Sequence, residues 1–220
     1  MKGYLFDLDG VITDTATYHF EAWQKLVKKH FNRTLPSVLE EKTKGVSRED
    51  SLKVILDYFH MTVTEEEFKK LADEKNKFYV DLLERLTSND ILPGIEQLLA
   101  DIKNDGGKIA LASSSKNGSF ILKKLGIFQE FDAIVNPNDI KRGKPAPDIF
   151  LEAANAIYVD PRECVAIEDS IAGIEAINQS GAYSVAVGGK ELAKAYKRVS
   201  TTSNLNYNEL KSLKNKSDTL

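Results

Sequence analysis

Residues 3–15 read Gly-Tyr-Leu-Phe-Asp-Leu-Asp-Gly-Val-Ile-Thr-Asp-Thr. The aromatic and aliphatic run over residues 3–8 predicts a buried strand that delivers its last side chains to a surface. Asp7 and Asp9 stand two residues apart, which on an ideal strand places both carboxylates on one face. Buried like charges at that separation are costly unless a cation or a proton lies between them. A solvated acidic turn accounts for the pair about equally well, so the pair alone leaves both interpretations open.

Four later runs also predict buried strands, and helical periodicity separates them along the chain. The predicted strands are residues 108–113, 133–135, 164–168 and 183–188, and the predicted helices are residues 95–104, 120–125, 148–157 and 171–179. This alternation predicts an α/β fold, a Rossmann-like doubly wound parallel sheet with helices on both faces. Ligands of such sheets bind outside the carboxyl ends of the strands, so the residues that follow each strand are the candidates for chemistry.

Residues 15–89 interrupt the alternation, because they contain helix signals and no convincing strand. Helical spacing runs over residues 18–30, 47–59 and 64–86, and the last two segments open with capping patterns, Ser47 with Asp50 and Thr64 with Glu67. We therefore expect a catalytic core domain of residues 1–14 and 93–220 and an inserted all-helical cap domain of residues 15–92. Two short connections would let the inserted domain rock as a lid over the active edge of the sheet.

Composition limits the classes of partner. The chain has 220 residues, of which 42% are hydrophobic, and this supplies a sizeable core. Its 30 basic and 33 acidic residues give a net charge of −3, so no overall field draws it to nucleic acid or to an anionic membrane. No apolar run approaches the roughly 20 residues of a bilayer-spanning helix. We expect a cytoplasmic monomer that binds small molecules, in which the single Cys164 is a structural thiol.

Two further strand ends carry residues that suit an anion. Ser113 ends the second predicted strand, and Ser114 and Ser115 follow it at the start of a helix, where hydroxyls, backbone amides and the helix N-terminus make an anion site. A plain serine-rich helix cap explains these serines at least as well when they are taken alone. Lys144 stands in a proline-rich loop, Lys-Pro-Ala-Pro, where a lone lysine is usually just solvated.

A second acidic pair, Glu168 and Asp169, ends the fourth predicted strand, and Ser170 follows it in a position to cap a helix. Three or four oxygen ligands on separate strands suit a hard divalent ion, and Mg²⁺ characteristically pairs carboxylates with waters and a substrate phosphate. If these residues had no common function, four successive strand ends or loops along the chain would carry an acid, a hydroxyl, a lysine and an acid by chance. Together they therefore predict one magnesium-dependent phosphate site.

This order of residues resembles the haloacid dehalogenase superfamily over the whole chain. Its members carry a nucleophilic aspartate in an Asp-x-Asp stretch, a Ser or Thr, a Lys and a terminal acidic pair. Within the superfamily the sequence is most similar to those of the mutases that interconvert β-D-glucose 1-phosphate and glucose 6-phosphate. The stretches that carry this resemblance are Asp7 to Thr15, Lys44-Gly45-Val46-Ser47-Arg48-Glu49-Asp50-Ser51, and Ala112 to Gly118.

The resemblance implies a phosphotransferase and isomerase that works through a phospho-aspartate on Asp7 and a β-glucose 1,6-bisphosphate intermediate. Asp9 would be the general acid and base. Haloacid dehalogenases do not carry an acid at the position of Asp9, so its presence favours phosphoryl transfer. Mg²⁺ would be held by the carboxylates of Asp7 and Asp169, by the backbone carbonyl of Asp9, and by Glu168 directly or through water.

The resemblance also implies the residues that hold a sugar phosphate. The transferring phosphoryl group would be bound by Ser113, the backbone amide of Ser114, and Lys144. The non-reacting phosphate would be bound by cations and an amide on the far side of the pocket, Arg48, Lys75, Lys116 and Asn117. The loop around the sugar would comprise Gly45, Val46, Ser47 and Ser51. His19 matches a hinge residue that ties lid closure to the placement of Asp9.

The sequence departs from this pattern in places. Ser114 stands where the mutases have alanine, and residues 136–143 and the segment after Gly188 follow the family poorly. Two alternatives stay open: a sugar-phosphate or phosphoglycolate phosphatase with the same core, and a non-catalytic phospho-ligand binder on the same fold. A pure binder would not need the nucleophile Asp7, and a phosphatase would not need cations for a second phosphate.

Overall fold

A computed structural model of the chain describes residues 1–43 and 46–213, and a parallel sheet lies at its centre. Within these residues the sheet has six strands in the order β3-β2-β1-β4-β5-β6, and every neighbouring pair is parallel. The strands are β1 (Gly3–Phe6), β2 (Lys108–Leu111), β3 (Ala133–Ile134), β4 (Cys164–Glu168), β5 (Tyr183–Val187) and β6 (Lys197–Val199). The predicted fold class is confirmed.

Helices fill the connections between strands and the long segment after β1. They are α1 (Ala16–Phe31), α2 (Val38–Thr43), α3 (Arg48–Tyr58), α4 (Glu65–Leu83), α5 (Ile95–Asn104), α6 (Gly118–Lys124), α7 (Asp148–Ala156), α8 (Ile171–Ser180) and α9 (Tyr207–Lys211). The sequence did not predict β6, α2 or α9. Each of these elements has at most six residues, too few for a hydrophobic period to show.

Alternate residues of the central strands pack on opposite faces of the sheet. Tyr4 and Phe6 belong to one apolar cluster, together with residues of α5 and α6, whereas Leu5 belongs to a second cluster with residues of α7 and α8. All four residues of β1 are buried, because a strand with helices on both faces has no solvated side. This two-sided burial holds the carboxyl ends of β1, β2 and β4 at one edge.

The segment between β1 and α5, here called the insert (residues 15–92), is helical as expected. A third apolar cluster joins its helices, with Trp23 of α1, Ile55 of α3 and Leu71 of α4 among its members. Both predicted helix caps are present: the hydroxyl of Ser47 accepts from the backbone N–H of Asp50, and Thr64 forms a capping box with Glu67. Tyr79, Leu82 and Leu83 of α4 pack instead with the cluster of the sheet, so α4 connects the two apolar centres.

Candidate active site

The residues predicted to carry chemistry come from segments that meet at the carboxyl edge of the sheet. Asp7 follows β1 directly, and its backbone N–H donates to the carbonyl of Ile167 in β4 at 3.0 Å. Because Phe6 is level with both Leu111 and Ile167, the residues after β1, β2 and β4 share one edge. The side chains that the chain brings to this edge are buried: Asp7, Ser113, Lys144, Glu168 and Asp169.

Lys144 lies between two carboxylates. Its Nζ is 2.6 Å from Oδ1 of Asp7 and 2.7 Å from Oε2 of Glu168. The side chains of Lys144 and Glu168 are 0% exposed and that of Asp7 is 5% exposed, so water does not screen these charges. Burial by itself would lower the pKa of Lys144, but the two carboxylates outweigh burial and the pKa is raised. Lys144 is therefore a fixed positive charge at neutral pH.

At this edge of the sheet, the buried carboxylates outnumber the amino group of Lys144. Asp7, Glu168 and Asp169 each offer a carboxylate oxygen, and these three oxygens lie within 4.8 Å of one another. Burial, followed by the charge of Glu168, raises the pKa of Asp7 to about 6 although Lys144 acts in the opposite direction. An excess of buried carboxylates calls for a further cation, and carboxylate oxygens are ligands that Mg²⁺ prefers. The donor set therefore fits Mg²⁺.

Glu168 is held rigidly. Its Oε1 accepts from the backbone N–H groups of Asp169 and Ser170, both at 3.0 Å, and from the Ser170 hydroxyl at 2.9 Å. Its Oε2 accepts from Lys144. The same Ser170 hydroxyl accepts from the N–H of Gly173 and caps α8. The cap of α8 and the orientation of Glu168 thus depend on each other.

Two glycines make room for the acidic pair. A Cβ on Gly10, whose φ is +71°, would lie 1.7 Å from Oδ2 of Asp169. A Cβ on Gly173 would lie 2.0 Å from the Glu168 carboxylate. Sequence reasoning did not single out Gly173, although a glycine in the first turn of a predicted helix is a signal for a close approach. Glycine at both positions is a condition for placing Glu168 and Asp169 beside Asp7.

Asp9, two residues after Asp7, contacts the insert. Its Oδ1 accepts a short hydrogen bond from the hydroxyl of Thr15, which in turn accepts from the hydroxyl of Tyr79 at 3.1 Å. Its Oδ2 lies 3.8 Å from Nε2 of His19. Burial, followed by the charge of Asp7, raises the pKa of Asp9 to about 8. A carboxyl group that stays protonated near neutral pH is suited to donate a proton.

Lys75 lies behind His19, away from the cavity described below. Its Nζ is 2.6 Å from Nδ1 of His19 and packs over the rings of Trp23 and Tyr79, 5.0 and 4.6 Å from their centroids. Burial lowers the pKa of Lys75, and burial followed by the charge of Lys75 lowers the pKa of His19. The resemblance assigned Lys75 to the second phosphate; in this structure its side chain is 1% exposed and supports His19.

A cavity of about 360 Å³ lies between the insert and the carboxyl edge of the sheet. Its lining includes ten of the predicted residues: Asp7, Asp9, His19, Val46, Arg48, Ser51, Ser113, Ser114, Lys116 and Asn117. Ser115, which belongs to the serine run of the predicted anion site, also lines the cavity, and the other lining residues were not predicted as site residues: Asp14, Ala16, Thr17, Phe20, Trp23, Ser37, Glu40 and Thr43. Ser47 acts as the cap of α3. Gly45, predicted for the sugar loop, lies outside the described residues.

Three further predicted donors, Arg48, Lys116 and Asn117, line the same cavity. Arg48 opens α3 of the insert, and Lys116 and Asn117 precede α6 of the sheet region. Asn76 of α4 accepts from both Arg48 and Asn117, and Glu49 accepts from Lys116 at 2.6 Å. The side chains of Lys116 and Glu49 are 33% and 37% exposed, so this ion pair is open to exchange with a ligand anion. Arg48 and Lys116 thus bring two cationic side chains to the lining of one cavity.

Comparison with known proteins identifies the family of this chain. Residues 1–181 match the family of haloacid dehalogenase-like hydrolases. The chain belongs to that family. It is 47% identical over 190 residues to the beta-phosphoglucomutase of Bacillus subtilis (strain 168), covering 86% of this chain and 84% of that protein. The crystal structure of beta-phosphoglucomutase from Clostridium difficile superposes with a TM-score of 0.93, at 45% identity and 95% coverage of each chain. A phosphorylated carbohydrates phosphatase of Thermotoga maritima is 30% identical over 184 residues, 82% of each chain.

The resemblance to the haloacid dehalogenase superfamily predicted the acidic, hydroxyl and lysine positions at the strand ends. It did not lead us to Thr15, Tyr79 or Asn76, which hold other site residues and lie on helices of the insert or just before them. Helical spacing alone does not distinguish these polar positions from ordinary surface residues.

Among the described residues, no helix has both the length and the apolar character needed to cross a membrane.

Proposed function

We propose that this chain is a beta-phosphoglucomutase that converts β-D-glucose 1-phosphate into glucose 6-phosphate and back. The observation that carries the proposal is one cavity that is lined by Asp7 and Ser113 and also by the donors Arg48, Lys116 and Asn117. A phosphatase needs only the first set of residues, whereas a mutase must also hold the phosphate that does not react. Similarity to two beta-phosphoglucomutases at 47% and 45% identity supports this assignment.

Asp7 is the proposed nucleophile. Its carboxylate oxygen attacks the phosphorus of β-glucose 1,6-bisphosphate, the bond from phosphorus to the sugar oxygen breaks, and an aspartyl phosphate forms. Lys144, 2.6 Å from Asp7, and the hydroxyl of Ser113 stabilise the transferring phosphoryl oxygens, with the backbone amide of Ser114 beside them. Asp7, Asp169, the carbonyl of Asp9 and Glu168, the last directly or through water, would hold Mg²⁺, which would supply positive charge to offset the negative charge on the nucleophile and the phosphoryl group.

Asp9 is the proposed general acid and base. With a pKa raised to about 8 it holds a proton at neutral pH, and it gives this proton to the departing sugar oxygen. The resulting carboxylate then removes a proton from the hydroxyl of the next glucose phosphate as that hydroxyl attacks the aspartyl phosphate. Thr15 and His19 belong to the insert, so closure of the insert over the sheet positions Asp9. For this reason we also propose residues 15–92 as a separate cap domain that excludes water from the aspartyl phosphate.

The intermediate must turn around in the cavity between the two transfers. Arg48, Lys116 and Asn117 hold whichever phosphate is not reacting, and Val46 and Ser51, which line the same cavity, border the sugar. An arginine binds phosphate in bidentate fashion, which keeps a charged group in place while the other end reacts. The cavity of about 360 Å³ lies within the range of sites for small ligands.

The test is a product assay. Purified protein is incubated with β-D-glucose 1-phosphate, Mg²⁺ and a trace of β-glucose 1,6-bisphosphate, and glucose 6-phosphate and inorganic phosphate are both measured. We expect stoichiometric glucose 6-phosphate and no product from Asp7→Asn, in which an amide replaces the nucleophile at nearly constant volume. Release of inorganic phosphate in place of glucose 6-phosphate would make the protein a phosphatase and refute the proposal.

A further inference from the structure

Asn76 of α4 joins the two sides of the cavity behind its lining. Its Oδ1 accepts a hydrogen bond from a terminal nitrogen of Arg48 at 2.9 Å and another from Nδ2 of Asn117, also at 2.9 Å. Arg48 belongs to the insert, whereas Asn117 stands at the N-terminus of α6 in the sheet region. An amide oxygen has two lone pairs, and both are used here. One atom therefore fixes two donors that the chain brings from opposite sides.

The two donors keep enough hydrogen-bonding capacity for a ligand. A guanidinium has five N–H groups and Arg48 gives one of them to Asn76, while the amide of Asn117 keeps a second N–H. Asn76 is also neutral, so it orients the donors without adding a negative charge beside a phosphate site. The ion pair of Lys116 with Glu49 is a separate contact between the insert and the sheet region, and it does not involve Asn76.

We infer that Asn76 is a positioning residue that aligns Arg48 with Asn117 to form the site for the non-reacting phosphate. This deepens the proposed function and rests on it. Asn76 is half-buried and is absent from the described cavity lining, so it acts through the two residues that it holds. Loss of its oxygen leaves Arg48 charged and Asn117 in place, but frees both side chains to adopt other rotamers before the phosphate arrives. Binding of a sugar phosphate then carries the cost of ordering them.

The experiment compares the parent protein with Asn76→Ala and Asn76→Leu. Both variants lack the acceptor, both residues favour helices, and leucine also keeps the side-chain volume. The matched control is Lys77→Ala, which changes the next, exposed position of α4. We expect KM for β-D-glucose 1-phosphate to rise roughly tenfold in both Asn76 variants, from the loss of two hydrogen bonds, while kcat changes less than about twofold. Acetyl phosphate hydrolysis, which uses no second phosphate, should stay at the parent rate.

Two further measurements separate this role from a structural one. In an Arg48→Ala background, Asn76→Ala should raise KM by less than about threefold, because one of its two partners is already gone. Equal KM values in the parent and both Asn76 variants overturn the inference, and so do equal losses with acetyl phosphate. Calorimetric titration of each protein with glucose 6-phosphate tests the inference without turnover. If the parent makes no glucose 6-phosphate but Asn76→Ala still binds it roughly tenfold more weakly, the proposed function fails and the role of Asn76 stands.

Discussion

Replacement of Lys144 by methionine tests the electrostatic design of the site. Methionine fills nearly the same volume but leaves Asp7 and Glu168 buried without their shared cation, which lies 2.6 and 2.7 Å from them. Removing one member of a buried, hydrogen-bonded ion pair costs about 3–5 kcal/mol, because the remaining charge is uncompensated. We expect a loss of that size in the free energy of unfolding of the metal-free protein at about pH 8.

The loss should depend on pH in a defined direction. The pKa of Asp7 rises from 3.8 to about 6 on folding, so the contribution of Asp7 to stability is complete below about pH 4 and is lost as the pH rises through about 6. Lys144 lowers that pKa, so its removal moves the folded-state pKa of Asp7 further up. In the Lys144→Met variant, the contribution of Asp7 to stability is therefore still being lost above about pH 6. The gap between parent and variant should be at least about 1 kcal/mol smaller at pH 5 than at pH 8.

Urea unfolding followed by circular dichroism, in EDTA at both pH values, measures this gap. Lys194→Met is the matched control, because Lys194 pairs with Glu175 at 2.8 Å while its side chain is 72% exposed. Loss of such a surface pair should cost no more than about 1 kcal/mol at either pH. A Lys144→Met variant as stable as the control, or one that loses more at pH 5 than at pH 8, would refute the reasoning.

Three further results are expected. Arg48→Ala should lower turnover of β-D-glucose 1-phosphate by about one to two orders of magnitude, because about 1.5–3 kcal/mol of charge-assisted hydrogen bonding is lost, and should leave acetyl phosphate hydrolysis nearly unchanged. Equal losses in the two assays would contradict the role of Arg48 in binding the non-reacting phosphate. Gly10→Ala should impair both stability and turnover, because its Cβ would lie 1.7 Å from the Asp169 carboxylate. The control Gly106→Ala, at φ +77° with nothing within 4 Å of its Cβ, should leave turnover intact; urea unfolding and product assays compare the two variants. Chelation should abolish turnover, Mg²⁺ should restore it and Ca²⁺ should not, because calcium prefers longer and looser coordination; full activity in EDTA would exclude this metal dependence.

Much of the core followed from local patterns. Apolar runs such as Cys164–Glu168 identified five strands, and the residues just after them supplied Asp7, Ser113 and Asp169. The segment at 183–188 was recognised because a strand buried on both faces is continuously apolar. The edge strand Lys197–Val199 was not predicted, because it pairs on one side only and its sequence is largely basic.

The sequence alone determined which residues are able to do chemistry, because their types and their positions after strands are local properties of the chain. Only the tertiary structure decided how those residues act. It placed the buried Lys144 between Asp7 and Glu168, turned Lys75 toward His19, and brought Asn76 within 2.9 Å of both Arg48 and Asn117. These contacts join residues between 24 and 137 positions apart. Local periodicity carries no information on such pairings, since they arise when burial of the apolar faces of the sheet and of the insert fixes the distances between elements.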